Sequence, residues 1–325
     1  MVEYDIAILN GSILNGLMKM AKADGIKCWV KRISCFTLGL ALLLMPKVVV
    51  ASDAPSTNAM STSQIEIKGN NELPYLVLIA KPQTAAPKKG WPVVILLDGN
   101  RTLPIAKDLL PDALLIGVGY PTNKPEDIVT RRYYDLTPHA PADKIPFKAG
   151  DKAPDTGGEV AFRNLITKTI LPRIKKDYPV DDKQITLFGH SLGGLFVMNT
   201  LISNDRTTFN TFCAADPSIW WNGHQFMTDL KAFRHFDTMR TRLLIEVSGQ
   251  KTVHKDIDDA QKKRINDLRS GPNGKDVSVF LQKNTQIETT FHRFEDKNHG
   301  TMIAPSVKDC LSFSLNKQFK PHHSN

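Results

Sequence analysis

The chain has 325 residues, a formal net charge of +9 and four cysteines. Because its basic residues form no run of the kind that follows a nucleic-acid backbone, a nucleic-acid partner is not expected. The cysteines show neither metal-ligand spacing nor a disulfide framework, and no metal is predicted. The modest positive balance suits an anionic small molecule, and it equally suits an ordinary basic surface.

Residues 1–51 are predicted to be a leader that is not part of the fold. Basic residues precede an apolar run from Cys35 to Leu44, in the order of a signal peptide, and cleavage after Ala51 fits the residues there. The run is short for a membrane span, and an uncleaved anchor is the alternative. We therefore expect an exported protein, periplasmic or secreted, with no stable membrane span once the leader is removed.

A flexible N-terminus is predicted at 52–63, followed by a single folded domain at 64–325. Residues 120–157 are rich in Pro, Lys and Asp and lack clear periodicity, which predicts a long loop insertion. Before that insertion, apolar runs and alternating patterns predict four short strands. These strands are 64–67, 75–80, 93–97 and 114–118.

The second half of the chain alternates between helical and strand patterns. Helical spacing at 159–178 contains Pro172, which predicts a kink or an early end. The alternation is typical of the α/β class, with a mostly parallel, doubly wound sheet flanked by helices. Further strands are predicted at 184–188, 209–215, 243–247 and 289–294, and further helices at 194–202 and 257–268.

The segment Gly189-His190-Ser191-Leu192-Gly193 has the form G-x-S-x-G and lies between a predicted strand and a predicted helix. That context predicts a nucleophile elbow, a sharp turn that exposes the serine Oγ at the carboxyl end of a sheet. The Leu192 N–H, at the helix N-terminus, is predicted to stabilise an oxyanion. Asn100, after the strand at 93–97, is the predicted second donor, although a plain turn also fits that position.

His299 is the predicted general base for Ser191. A serine hydroxyl needs a base within hydrogen-bond reach, and in chains with this elbow the histidine follows the last strand. His299 lies in the loop after the strand predicted at 289–294. A solvated loop histidine is the alternative. His190 is expected to point away from Ser191 Oγ, and His292 lies within the strand.

The third member of a catalytic triad is left open by the residues. It is expected directly after the strand at 243–247, but no acid occurs at 248–251. Either an acid nearby reaches His299, or a Ser–His dyad operates. The candidate acids are Glu246, Asp256, Asp258 and Asp259.

Four segments together, 97–99, 189–194, 216–221 and 298–300, resemble the esterase D-like α/β hydrolases. The resemblance implies the α/β-hydrolase fold and a serine esterase that needs no cofactor. Residues 131–138 are most similar to the branch that contains siderophore trilactone esterases, which includes exported members and members without a triad acid. An acyltransferase, a thioester or feruloyl esterase, and a non-catalytic binding protein of the same fold are the alternatives.

The resemblance implies a small-molecule ester as partner, and the siderophore branch implies an anionic one. Arginine pairs with anionic oxygens and stacks on planar rings, so five residues are predicted to line the substrate site. Each has an alternative, because the arginines can pin the long loop and the tryptophans can be packed in the core. The five are Arg101, Arg131, Arg132, Trp220 and Trp221. Cys213 and Cys310 can form one disulfide or remain two buried thiols, and the sequence leaves both open.

Overall fold

The computed structural model describes residues 59–69, 73–147, 152–233, 241–250 and 258–315. The predicted leader at 1–51 lies outside the described residues. Within them, eight strands form one sheet in the order β1-β2-β4-β3-β5-β6-β7-β8. The strands are β1 (Met60–Lys68), β2 (Pro74–Pro82), β3 (Trp91–Leu97), β4 (Leu114–Gly119), β5 (Val180–His190), β6 (Thr211–Ala215), β7 (Arg242–Ser248) and β8 (Glu288–Phe294).

The sheet is mostly parallel, as predicted. β1 pairs with β2 and β2 with β4 in antiparallel fashion, while all pairings from β4 through β3 to β8 are parallel. Helices follow the parallel strands and flank the sheet. They are α1 (Gly99–Asp108), α2 (Pro125–Asp135), α3 (Glu159–Leu165), α4 (Leu171–Asp177), α5 (Leu192–Leu201), α6 (Trp221–Ala232), α7 (Asp259–Arg269), α8 (Gly274–Asn284) and α9 (Ile303–Ser314).

Two predicted boundaries are wrong. β1 begins at Met60, so 60–63 is not a flexible N-terminus, and its exposed polar residues are held by backbone pairing with β2. The insertion at 120–157 is not wholly a loop, because α2 forms within it, with Pro125 and two acidic residues in its first turn. The predicted helix at 159–178 is present as α3, a π-helical turn at Ile166–Ile170 and α4, and this irregularity directly before the turn that contains Pro172 agrees with the predicted kink.

The core has two layers, one on each face of the sheet. β3 shows the division, because Val93, Ile95 and Leu97 pack on one face while Val94 and Leu96 pack on the other. Helices α1 and α9 cover the second face. There a disulfide between Cys213 and Cys310 joins β6 to α9, which settles the alternative left open by the sequence.

The parallel strands end at one edge of the sheet, and this edge carries the polar residues of the candidate site. β3 leads into α1, β5 into α5 and β8 into the loop before α9. Ligands of open α/β sheets bind at such a carboxyl edge. Among the helices of the described residues, none combines the length and the apolar character needed to cross a bilayer.

Candidate active site

Ser191 occupies a strained turn between β5 and α5. Its backbone has φ 60° and ψ −115°, outside the regions that ordinary residues favour. The turn is possible because residue 189 is glycine: a Cβ there would collide with the Gly193 carbonyl. The Ser191 N–H donates to the Ala215 carbonyl over 2.9 Å, which attaches the turn to β6. The predicted nucleophile elbow is therefore present.

The structure brings His299 to Ser191. His299 lies in the loop between β8 and α9, and its Nε2 is 3.0 Å from Ser191 Oγ. The Asn298 side chain shapes this loop, because its Oδ1 accepts the N–H groups of Gly300 and Thr301 at 3.0 Å each. This is the arrangement that a serine nucleophile and its general base require.

His190 is hydrogen-bonded to the loop that carries His299. Burial, the charge of His299 and the charges of Arg132 and Arg101 hold the pKa of His190 well below its usual range. The neutral imidazole therefore donates from Nε2 to the His299 carbonyl oxygen, 2.9 Å away. As predicted, His190 does not bond Ser191 Oγ, but it contacts the base instead.

An acid does contact His299, and it is Asp216, directly after β6. Its Oδ2 lies 2.7 Å from His299 Nδ1 and accepts the Ser248 hydroxyl over 2.7 Å, while its Oδ1 accepts the Ser248 N–H over 3.2 Å. Burial alone would raise the pKa of Asp216, but the hydrogen bond and charge of His299 and the bond from Ser248 lower it to about 2. Asp216 is therefore ionised and orients the imidazole.

The predicted positions of the acid are wrong. Glu246 is buried in β7 and faces His292, while Asp258 caps α7 and Asp259 begins it. Asp256 lies outside the described residues. The dyad alternative is also wrong in structural terms, because Ser191, His299 and Asp216 form a continuous chain of hydrogen bonds. The sequence signal was an acid directly after the strand predicted at 209–215.

The N-termini of α5 and α1 lie close together, because a Cβ at Gly193 would be 3.6 Å from Asp98 Oδ2. α5 begins at Leu192, and α1 begins at Gly99 after Asp98, which has φ 55°, so Asn100 lies in the first turn of a helix rather than in a loop. N–H groups in a first helical turn have no acceptor within their helix. The Asn100 side chain bonds both the N–H and the carbonyl of Tyr120 at 2.9 Å, which fixes that turn against β4. Such N–H groups can stabilise an oxyanion.

Two of the predicted substrate contacts are structural. Trp221 is 1% exposed and donates from Nε1 to the Pro138 carbonyl over 3.1 Å, so its prediction as a substrate contact is wrong. The Arg131 guanidinium lies 4.4 and 4.5 Å from the ring centroids of Tyr75 and Tyr120 and donates to the Pro74 carbonyl. Arg131 therefore holds the insertion against β2, and Trp221 holds it against α6.

The other three predicted contacts, Arg132, Arg101 and Trp220, differ in their exposure. Arg132 forms a two-point ion pair with Asp98, with Nε–Oδ1 2.6 Å and Nη2–Oδ2 3.0 Å. Arg101 is exposed in the first turns of α1. Trp220 is half-buried, and the Arg269 guanidinium lies 5.4 Å from its ring centroid. That Arg101, Arg132 and Trp220 contact substrate stays a prediction.

Fold and site together define an α/β hydrolase with a Ser–His–Asp arrangement. Residues 72–299 match the family model described as "Putative esterase". The chain is 35% identical to the apo-salmochelin esterase of Escherichia coli O6:H1 over 248 residues, which cover 73% of each protein. The chain belongs to this esterase family and is a carboxylic ester hydrolase.

Other comparisons agree with this assignment. The chain is 29% identical to the ferri-bacillibactin esterase of Bacillus subtilis over 294 residues, covering 83% of this chain and 95% of that protein. The crystal structure of the BES protein from Bacillus cereus is similar, with a TM-score of 0.64 and 25% identity, covering 78% of this chain and 95% of the other. These similarities confirm the predicted fold and family.

Proposed function

We propose that this esterase hydrolyses the ester bonds of siderophores, with Ser191 as nucleophile, His299 as base and Asp216 as the orienting acid. The chain of hydrogen bonds from Ser191 Oγ through His299 to Asp216 is the observation that carries the chemistry. The substrate class is supported by relatives that are named as esterases of ferri-bacillibactin and apo-salmochelin and that match most of this chain.

In the proposed reaction Ser191 Oγ attacks the ester carbonyl while His299 Nε2 takes its proton. Asp216 stabilises the imidazolium that forms. The developing oxyanion is held by the backbone N–H groups of Leu192 and Asn100 at the two helix N-termini. His299 then protonates the leaving alcohol, and it finally activates the water that releases the acyl group. None of these steps uses a cofactor.

Charge near the site supports an anionic substrate. A ferric catecholate trilactone carries several negative charges and planar rings, which arginine recognises by pairing and stacking. The charges of Arg101 and Arg132 both act on His190, the neighbour of the nucleophile in the chain. We propose that Arg101, which is exposed, contacts such a substrate, and that Arg132 acts mainly by pairing with Asp98.

A rate panel tests the substrate class. Hydrolysis of ferric and iron-free trilactones is compared with that of nitrophenyl esters, thioesters and feruloyl esters, with and without an added acceptor alcohol. We expect the highest kcat/KM on a trilactone and water as the main acceptor. Faster cleavage of thioesters or feruloyl esters would refute the siderophore substrate, and dominant transfer to the alcohol would indicate an acyltransferase.

Labelling tests the nucleophile separately. We expect a fluorophosphonate to modify the folded protein, and we expect labelling and ester cleavage to be lost in Ser191→Ala. Ser270→Ala is the matched control, because that hydroxyl is exposed and donates to the Asp267 carbonyl. Unchanged labelling or cleavage in Ser191→Ala would refute the proposed chemistry whatever the substrate.

We further propose that the protein is exported to the periplasm or secreted. The leader pattern at 1–51 and the disulfide between Cys213 and Cys310 support this, because disulfides persist in oxidising compartments. Cell fractionation with mass spectrometry of the mature N-terminus tests it. We expect an exported chain that begins after Ala51, whereas an uncleaved cytoplasmic chain would refute the proposal.

A further inference from the structure

A second group of ionisable residues lies between α9 and the face of the sheet that α9 covers. Glu246 on β7 and His292 on β8 are direct neighbours in the parallel register, and Asp309 on α9 meets them from above. The three residues are buried, with 1%, 6% and 3% of their surfaces exposed. No step of the proposed ester hydrolysis uses them.

Their spacing is unlike that of an ordinary ion pair. His292 Nδ1 lies 3.4 Å from Glu246 Oε1 and 3.4 Å from Asp309 Oδ2. A charge-assisted N–H···O bond is usually about 2.7–2.9 Å, and Nδ1 has only one proton for two carboxylates. By contrast, two ligands that are each about 2.1 Å from a tetrahedral zinc ion are about 3.4 Å apart. The distances around His292 Nδ1 therefore match ligand-to-ligand separations.

Two buried oxygen atoms on α9 have unmet hydrogen-bonding capacity in the same region. Asp309 Oδ2 and Ser306 Oγ are buried, and within the described part of the chain neither has a hydrogen-bond partner. Ser306 lies one helical turn before Asp309 on α9, so the two side chains lie on the same face of the helix. A cation bound between these side chains would satisfy both buried oxygens.

We propose that Glu246, His292 and Asp309 bind one Zn²⁺ ion, with Ser306 Oγ or a water molecule in the fourth position. The three ligand atoms lie within 4.8 Å of one another, so small side-chain movements complete the shell. One imidazole nitrogen with two carboxylates suits zinc better than calcium or magnesium, which prefer oxygen alone. The ion would join β7, β8 and α9 on either side of the loop that carries His299.

Zinc binding is tested on the untagged full chain. Zinc per chain is measured by mass spectrometry after dialysis, and Kd by competition with a chromophoric chelator. We expect about one zinc per wild-type chain and at least tenfold weaker binding in Asp309→Asn. Added zinc should raise the thermal midpoint of the wild type and not that of Asp309→Asn. His322→Ala/His323→Ala is the matched control for weak binding by the tail histidines, and it should bind zinc like the wild type.

Three results would overturn the site. They are absence of zinc binding by the wild type, equal Kd values in the wild type and Asp309→Asn, and loss of binding in the tail double variant. Glu246→Gln serves as a second ligand deletion where Asp309→Asn does not yield folded protein, and it should also bind at least tenfold more weakly. These measurements do not depend on the proposed substrate.

Discussion

Replacement of Asp216 by asparagine tests the orienting acid without changing the size of the side chain. In the native site the Ser248 N–H donates to Asp216 Oδ1, so the asparagine oxygen should keep that place. The amide nitrogen then takes the place of Oδ2, 2.7 Å from His299 Nδ1. It donates to Nδ1 and leaves the imidazole proton on Nε2, which can no longer accept the proton of Ser191.

The expected loss in kcat follows from two changes. The imidazole is held in the wrong tautomer, and the imidazolium loses the negative charge beside it. In the general serine-triad template this substitution lowers kcat by about 10⁴. That factor corresponds to about 5.4 kcal/mol in activation free energy. KM should change little, because Asp216 forms its hydrogen bonds with His299 and Ser248 and is not expected to contact the substrate.

The assay is steady-state hydrolysis of a nitrophenyl ester near neutral pH. Asp258→Asn is the matched control, because Asp258 only caps α7 and asparagine is an equally good cap. The control should keep its kcat within about twofold, since a conservative exposed substitution perturbs little. A loss of less than about tenfold in Asp216→Asn would refute the argument and restore the Ser–His dyad.

Three further outcomes are expected. Below pH 6.5, the ordinary pKa of histidine, the unfolded chain gains a proton at His190 that the folded chain does not bind, because the pKa of buried His190 is lowered. The unfolding free energy of the wild type, measured in urea, should therefore fall relative to that of His190→Gln by about 1 kcal/mol between pH 6.5 and 5.5. Parallel plots of unfolding free energy against pH for the two proteins would contradict this. Gly189→Ala should cost about 1–3 kcal/mol and most activity, since its Cβ meets the Gly193 carbonyl; native urea midpoint and kcat would refute the strain argument. Cys213→Ala/Cys310→Ala should lower unfolding free energy by about 2–5 kcal/mol, because the bridge spans 97 residues; an unchanged value in oxidising buffer would show that the bridge does not constrain the unfolded chain.

Local patterns account for the parts of the fold and site that were predicted correctly. β3 is continuously apolar because helices cover both faces of the sheet, and that burial is visible in the sequence. The elbow is a contiguous motif in which Gly189 is required by the geometry of the turn itself, because a Cβ there would collide with the Gly193 carbonyl. The position of His299 followed from chain order after the last strand, a rule that needs no knowledge of side-chain contacts.

Long-range contacts account for the errors. Asp216 and the expected acid position after β7 follow neighbouring strands at the same edge, and only the three-dimensional path of His299 decides between them. Residues 61–63 are polar because this end of the edge strand is exposed, and backbone pairing with β2 together with the Ser61 hydroxyl holds it without an apolar pattern. The sequence around Trp221 fits a ligand contact and a core residue equally well. Its burial depends on the insertion that packs over it.

His190 and Ser191 are adjacent in the chain, and they contact two different parts of His299, its carbonyl oxygen and its imidazole. His190 bonds the His299 carbonyl at 2.9 Å and Ser191 Oγ meets its imidazole at 3.0 Å, across more than a hundred residues of sequence. The loop can therefore separate from the elbow only by losing both contacts together. We expect amide exchange at Gly300 and at Ser191, whose N–H groups bond Asn298 Oδ1 and the Ala215 carbonyl, to slow in concert during refolding, and esterase activity to appear only when both are protected.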